Sequence, residues 1–136
     1  MQLSYCLNPK LQVEELARLR IAVGWDARRN RIGKVIGKTY LSAACFDAKK
    51  LVGFVDVISD GVDDALVRNL LVHPDYQDQG IAMNLLQMVT KKIKDDAIKT
   101  INVLFEPELT ELYQKAGFRI IGGGIIDNEA EEFELK

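Results

Sequence analysis

The segment LLVHPDYQDQGIA, residues 70–82, carries the clearest structural signal in the chain. An apolar run typical of a strand ends before Pro74, and a helical apolar period resumes at Ile81. Gly80 and Ala82, at the start of that helix, leave the backbone open to a ligand. Free N–H groups and the positive end of the helix dipole favour an anion there. The segment therefore predicts an anion-binding loop between a strand and a helix. The alternative is an ordinary connection in which Gly80 only permits a turn.

The spacing of the other apolar residues predicts the order strand, helix, three strands, helix, strand, helix and two strands. The first helix is predicted to begin at Asn8 and Pro9. A basic, glycine-containing segment at residues 26–38 follows it and is interpreted as a loop near a substrate or an anion. Short turns between the next three strands indicate an antiparallel meander. The remaining predicted elements are strands 40–46, 51–59, 65–72 and 101–105, a helix from Pro107 to Gly117, and a final strand pair, 118–121 and 132–136.

The composition is that of one globular domain spanning residues 1–136, because 48% of the residues are hydrophobic and the length is too short for two ordinary domains. A net charge of −2 disfavours nucleic acid as a partner. The apolar runs are far shorter than a spanning helix, and the N-terminal residues do not resemble a signal peptide. We therefore expect a cytoplasmic protein with no membrane partner. Cys6 and Cys45 lack metal-ligand spacing, so we expect reduced core thiols and no metal site.

Two glycine-rich stretches do not carry the functions that they resemble. Residues 33–39, GKVIGKT, have three residues between the glycines where a phosphate-binding Walker loop has four, and a strand is predicted to follow. Residues 122–124, GGG, are predicted to join two strands, so a bend or bulge is favoured over a dinucleotide fingerprint.

The pattern Gln77-x-x-Gly80-x-Ala82 after V-x-P-x-Y resembles the Q/R-x-x-G-x-G/A loop of the GNAT superfamily of acyl-coenzyme A-dependent N-acetyltransferases. The run YQKAGF, residues 113–118, resembles the Y-x-K-x-G-F element of the same superfamily. The resemblance implies an α/β (α+β) fold. Its central sheet would be mixed and mostly antiparallel, with a V-shaped splay between two parallel strands and three to four flanking helices.

The resemblance also implies acetyl-coenzyme A as cosubstrate and assigns roles to particular residues. Tyr113 corresponds to the tyrosine that protonates the departing thiolate. The strand residues would pair with the pantetheine arm, and the loop residues would hold the pyrophosphate. The implied cofactor-binding residues are Leu70, Leu71, Val72, Gln77, Asp78, Gln79, Gly80, Ile81 and Ala82.

The general base is the least defined part of the predicted site. Related sequences often carry an acidic residue where this chain has Asn69, which does not accept a proton at neutral pH. Asp56 and Asp60 are the candidate substitutes, acting through water near the open end of the splay, while a solvent-facing structural role for Asp56 is the alternative. His73 lies on the cofactor side of the loop and is disfavoured as the base.

Two functions of different class are compatible with these residues. The first is transfer of an acetyl group to a small primary amine, or to a terminal amine of a larger substrate, within a ternary complex. The second is a coenzyme A-binding sensor or interaction module with weakened catalysis. Residues 16–25, the G-F-x-x-x-x-S-D run at 53–60 and Val72-His73-Pro74 also resemble the branch of serotonin-type arylalkylamine acetyltransferases and its small bacterial relatives. A homodimer is compatible with the family.

Overall fold

The structure, a computed structural model, describes residues 1–128 in two compact units. The first unit is Met1–Leu104, and the second begins at Phe105. No helix among the described residues is long and apolar enough to cross a membrane.

A five-stranded sheet forms the centre of the first unit, with its strands in sequence order. Four strands are antiparallel to their neighbours, whereas the last pair, β4 and β5, is parallel. This arrangement confirms the predicted α/β class and the mixed, mostly antiparallel sheet. The strands are β1 (Leu3–Leu7), β2 (Leu41–Asp47), β3 (Lys50–Ser59), β4 (Asp64–Val72) and β5 (Thr100–Val103).

The first residues of β4 pair with the whole of β5, from Asp64 opposite Thr100 to Val67 opposite Val103. Beyond Val67, β4 continues to Val72 with no strand partner on that side among the described residues. The C-terminal part of β4 is therefore unpaired on the side of β5, and the V-shaped splay stays a prediction.

A bulge in β4 lies at the start of the part that is not paired with β5. Phe54 faces Leu71 and Asp56 faces Arg68, so one residue of β3 opposes two of β4. Asn69, within the bulge, has a left-handed φ of 56°, which asparagine tolerates better than most residues.

Three helices flank the sheet of the first unit: α1 (Val13–Ala22), α2 (Arg29–Val35) and α3 (Ile81–Asp95). The apolar face of α3 is buried through Ile81, Leu85, Leu86, Val89 and Ile93. Gly53 of β3 allows this close packing, because a Cβ there would lie 2.7 Å from Ile81 Cγ2 and 3.1 Å from Leu85 Cδ1. A single glycine thus determines how closely the start of α3 approaches the sheet.

The first helix begins later than the Asn8-Pro9 pair predicts. Its N-cap is Gln12, whose backbone N–H donates to Glu15 Oε1 at 2.9 Å. Asn8 adopts a left-handed φ of 52° and exchanges hydrogen bonds with Ser42, so it ends β1 and does not begin a helix. The prediction for Cys6 is also wrong, because its thiol is exposed, whereas Cys45 is buried; both are free.

The second unit contains a 3₁₀ turn, Pro107–Leu109, followed by α4 (Thr110–Lys115). Gly117, with a φ of 103°, ends this helix, as the sequence predicts. Residues 118–121 are not a strand, contrary to the prediction. A strand requires a partner for its backbone hydrogen bonds, and the predicted partner, 132–136, lies outside the described residues.

Candidate functional site

The loop after β4 is held on both sides by protein contacts. The N–H of His73 donates to Val52 O at 2.8 Å, and its Nδ1 accepts from the N–H of Asp75 at 3.1 Å. His73 thereby caps the 3₁₀ turn Pro74–Tyr76, and the hydroxyl of Tyr76 donates to Asp47. These contacts give His73 a structural role, in agreement with its rejection as a base.

The start of α3 presents backbone donors without protein acceptors. The helical ladder begins with the N–H of Asn84, which donates to Gly80 O at 3.0 Å. Within residues 1–128 no acceptor engages three of the preceding predicted donors, the N–H groups of Gly80, Ile81 and Ala82, whereas the N–H of Gln79 closes the turn at residues 77–78. A Cβ on Gly80 would meet no atom within 4 Å, and its φ of 76° is one that glycine adopts readily. The loop therefore offers open space beside a row of unpaired donors.

The unpaired edge of β4 leads directly into this loop. Leu71 is buried in the sheet, while Leu70 and Val72 are half-buried. Their backbone belongs to the part of β4 that β5 does not cover. An extended ligand can pair with such an edge as an additional strand would. The residues predicted for the pantetheine arm and those predicted for the pyrophosphate thus lie on either side of a short turn whose own N–H groups are engaged by the protein.

A cavity of about 50 Å³ lies in the first unit among α1, α2 and strands β2 to β4. Its walls are mainly apolar and include Leu16, Ile32 and Phe54. Its polar lining includes Arg20 of α1 and Asp56 of β3. The cavity has room for roughly three or four water molecules.

Asp56 is a buried carboxylate in an ion pair. Its Oδ1 accepts from Arg68 Nε at 3.0 Å and its Oδ2 from Arg68 Nη2 at 3.3 Å, while Asn69 Nδ2 lies 3.3 Å from Oδ1. Burial raises the pKa of Asp56, against the opposing effects of Arg68, Asn69 and Arg20. Since only 5% of the residue is exposed, the solvent-facing alternative is wrong.

Asp60 lies at the other end of the sheet from the splay. It follows Ser59, which faces Ala65 in the region where β4 and β5 remain paired. Its Oδ1 accepts from the backbone N–H groups of Val62 and Asp63, each at 2.9 Å, and these bonds lower the pKa of Asp60. The expectation that Asp60 lies near the open end is therefore wrong, because the meander reverses direction at this residue.

Tyr113 is the buried residue of α4 in the second unit. Its ring stacks on Phe105 at 4.6 Å and meets the edge of Phe118 at 5.7 Å. Burial raises the pKa of Tyr113, so the phenol remains protonated at neutral pH. The hydroxyl of Tyr113 has no hydrogen-bond partner among the described residues. Every fully buried side-chain oxygen of those residues does have a partner, so this hydroxyl is not fully buried. The hydroxyl therefore retains accessible surface from which it can donate a proton.

Sequence reasoning missed Arg20 and Arg68. Arg68 lies opposite Asp56 in the register that the turn between β3 and β4 sets, and the bulge at Asn69 shifts only the pairs beyond it. Arg20 follows the apolar positions Leu16 and Leu19 on α1, so its place on the buried face is a helical-spacing signal that could have been found.

Comparisons with known proteins agree with this architecture. A family model described as an acetyltransferase (GNAT) domain matches residues 10–130. The uncharacterized N-acetyltransferase ycf52 of Gracilaria tenuistipitata var. liui is 28% identical over 116 residues, which are 82% of this chain and 64% of that protein. The chain thus spans slightly less than two thirds of this relative's length.

Solved structures share the fold at low identity. A probable acetyltransferase of unknown function from meticillin-resistant Staphylococcus aureus has a TM-score of 0.84 at 22% identity, covering 93% of this chain and 99% of its own. An aminoglycoside 6′-N-acetyltransferase complexed with coenzyme A has a TM-score of 0.71 at 18% identity, covering 90% and 87%. The narrower resemblance to arylalkylamine acetyltransferases remains a prediction. Because the family model covers most of the chain, including β4, the donor loop and α3, this protein belongs to the GNAT family of acetyltransferases.

Proposed function

We propose that this chain transfers the acetyl group of acetyl-coenzyme A to a primary amine of a small molecule by direct attack within a ternary complex. The observation that carries the proposal is the row of unpaired N–H donors at residues 80–82, which one short turn connects to the unpaired edge of β4. Such a row suits a pyrophosphate, and such an edge suits an extended amide-containing arm. The family membership supports the same reading.

The residues present fit acetyl-coenzyme A on geometric grounds. Gly80 leaves open space where phosphates would approach, and the donors beside it have no competing acceptor among the described residues. Gln77, Asp78 and Gln79 are exposed in the same loop, so their backbone is also accessible. When bound, acetyl-coenzyme A supplies an acetyl group activated as a thioester. The aminoglycoside acetyltransferase that shares the fold was solved with coenzyme A, which supports this choice of donor.

The acceptor must lose a proton before it attacks. An alkylamine with a pKa of about 10 is only about one part in a thousand free base at pH 7. We assign Asp56 to attract the ammonium and to receive its proton through water. Arg68 and Asn69 direct four hydrogen bonds to its roughly four acceptor positions, so a water must displace the longest of them, from Asn69 Nδ2 to Oδ2 at 3.5 Å. Burial raises the pKa of Asp56, which makes it a stronger base than an exposed carboxylate.

The departing thiolate needs a proton when the carbon–sulfur bond breaks and the carbon–nitrogen bond forms. We assign this proton to the hydroxyl of Tyr113, which burial keeps protonated at neutral pH. The aromatic contacts with Phe105 and Phe118 fix the orientation of its ring. The chain's own contributions are therefore backbone donors for the cosubstrate, a carboxylate for the amine and a phenol for the thiolate.

A coenzyme A-binding module without efficient catalysis is the second candidate. The bidentate ion pair between Asp56 and Arg68 favours it, because the carboxylate is already engaged. Asn69, at the position where relatives often carry an acid, adds weight to the same candidate.

Release of coenzyme A in the presence of aryl-alkylamines, polyamines, amino acids and peptides separates the two candidates. We expect saturable turnover with at least one class, together with acetyl-coenzyme A binding by calorimetry. Binding without turnover of any amine would favour the module, and absence of both would refute both candidates. Because Cys6 is exposed, products are measured by mass spectrometry and not by a thiol reagent alone.

A further inference from the structure

The cavity beside β3 contains a buried guanidinium that the proposed mechanism does not use. Arg20 lines the cavity and is only 8% exposed. Its Nε donates to the backbone oxygen of Asp26 at 2.7 Å, and its Cζ lies 5.0 Å from the centre of the Trp25 ring. The side chain is therefore held at a defined position in the cavity wall.

The terminal nitrogens of Arg20, Nη1 and Nη2, have no hydrogen-bond acceptor within residues 1–128. No fully buried side-chain nitrogen among the described residues lacks a partner. These two nitrogens therefore keep accessible surface, although the residue as a whole is more than nine-tenths buried. A guanidinium with free donors in a cavity wall is suited to an oxygen anion.

The carboxylates of Asp26 and Asp56 attract this guanidinium, but neither accepts a hydrogen bond from it within residues 1–128. Asp56, the carboxylate in the same wall, is engaged by both Nε and Nη2 of Arg68. Asp26 contributes its backbone oxygen to Arg20. Burial, followed by the charge of Arg28, lowers the pKa of Arg20, so its charged form is less stable here than in water. A bound anion would remove much of this penalty.

We infer that Arg20 binds a carboxylate of the acceptor, so that the protein acts on small amino acids with a short spacer between amine and carboxylate. The cavity of about 50 Å³ accommodates a carboxylate and one or two carbons. Asp56 lines the same cavity and offers the ammonium a partner. The identity of this carboxylate compound as an acceptor rests on the proposed function, whereas its binding at Arg20 does not.

A binding experiment tests the inference without requiring turnover. N-acetyl-β-alanine and its uncharged amide are titrated into the full chain with coenzyme A present. The charged compound should bind about 10-fold or more tightly, the usual effect of charge-assisted hydrogen bonds. Equal affinities, or stronger competition by inorganic phosphate than by the carboxylate compound, would overturn the inference.

Substitutions then test whether Arg20 causes the preference for the charged compound over its amide. Arg20→Gln should abolish it, while Arg18→Gln should leave it intact, since Arg18 is exposed on the same helix and within residues 1–128 forms its ion pair with Glu14. Arg20→Lys keeps the charge without the planar fork and should retain part of the preference. If Arg20→Gln does not fold, the parent comparison and Arg20→Lys still decide. A preference unchanged in a folded Arg20→Gln protein would refute the assignment.

Kinetics relate this site to the reaction. β-Alanine should have a lower KM than β-alaninamide in the parent, after correction for the fraction of free amine, and Arg20→Gln should remove that difference. Carboxylate binding without any acetyl transfer would refute the proposed function and leave the Arg20 site standing. Acetyl transfer with no discrimination between the two amines would refute the Arg20 site and leave the proposed function standing.

Discussion

The two ends of the candidate site are built in opposite ways. At the start of α3 the donors are backbone N–H groups with no protein acceptor, and Gly80 leaves the space beside them open. Around Asp56 the groups are side chains from neighbouring strands that satisfy one another. A backbone site depends on local conformation and on small residues. A side-chain site depends on the register and packing of several elements, so the two should respond differently to substitution.

The largest expected effect is at the backbone site. Gly80→Asp adds bulk and a negative charge beside the donors, in a left-handed conformation. It should weaken acetyl-coenzyme A binding more than about 100-fold, which corresponds to roughly 2.7 kcal/mol. Gly80→Asn, of similar size and more tolerant of a positive φ, should lose less. Calorimetry measures both, and an affinity of Gly80→Asp within twofold of the parent would place the cosubstrate elsewhere.

The next effect concerns a side chain of the second unit. Tyr113→Phe retains the stacking on Phe105 and removes only the hydroxyl. It should lower kcat by roughly 10- to 1,000-fold, with little change in cosubstrate affinity, as loss of a general acid does. Pre-steady-state kinetics should be used to test whether the chemical step limits turnover of the parent protein. Unchanged turnover under that condition would reduce Tyr113 to a packing residue.

Asp56→Asn tests the side-chain site on the acceptor side. It should lower kcat/KM for the amine by about 10-fold or more and leave acetyl-coenzyme A affinity intact. If Asp56 is the base, the variant should also lose the acidic limb of the pH profile. Burial raises the pKa of Asp56, so that limb should lie above the ordinary range of an aspartate. A raised KM with the limb preserved would instead identify an attractor of the ammonium.

The same contrast explains how much could be predicted from the sequence. The loop with the unpaired N–H donors could be predicted from the sequence, because Gly80 and Ala82 follow Gln77 at fixed spacing on one continuous segment. The environment of Asp56 could not, since it combines Arg68 from the facing strand with Asn69 from the bulge and lies in a wall shared with α1. The order of the strands, α1 and α3 in the first unit followed from periodicity, whereas α2 lies in the segment 26–38 that was interpreted as a loop.

Other errors came from local signals that tertiary contacts override. Asn8-Pro9 has the composition of a helix start, but Asn8 pairs with Ser42 and closes a strand. Residues 118–121 are apolar enough for a strand and have none of its pairing among the described residues. Cys6 was predicted to be buried from its apolar neighbours, although β1 leaves it exposed.

Gly53→Ala links the two kinds of site through packing. The added methyl would meet Ile81, Leu85 and Cys45 at 2.7, 3.1 and 3.3 Å. Overpacking of this kind costs about 1–3 kcal/mol, so the free energy of unfolding should fall by that amount. Because Ile81 is the first residue of α3, cosubstrate affinity should also decrease, though less than in Gly80→Asp. Denaturant unfolding and calorimetry measure the two effects, and a shift in neither would show that α3 adjusts freely.

The smallest effect is expected at Asp60, where the chain offers a matched control in the same turn. The carboxylate of Asp60 accepts backbone hydrogen bonds from Val62, Asp63 and Asp64, whereas Asp63 is exposed and its side chain makes none. Asp60→Asn should therefore lower Tm slightly more than Asp63→Asn, and neither should alter kcat/KM for the amine.

The pH dependence gives this last prediction its sign. Backbone hydrogen bonds lower the pKa of Asp60 in the folded protein, so their contribution to stability is present above the ordinary pKa of an aspartate and is lost as the pH falls through the folded value. The Tm difference between parent and Asp60→Asn should accordingly be full at neutral pH and shrink in acid. A difference that grows in acid would contradict the structural role. A loss of kcat/KM in Asp60→Asn at unchanged Tm would instead support a catalytic role for Asp60, because a purely structural change in this turn should lower Tm as well.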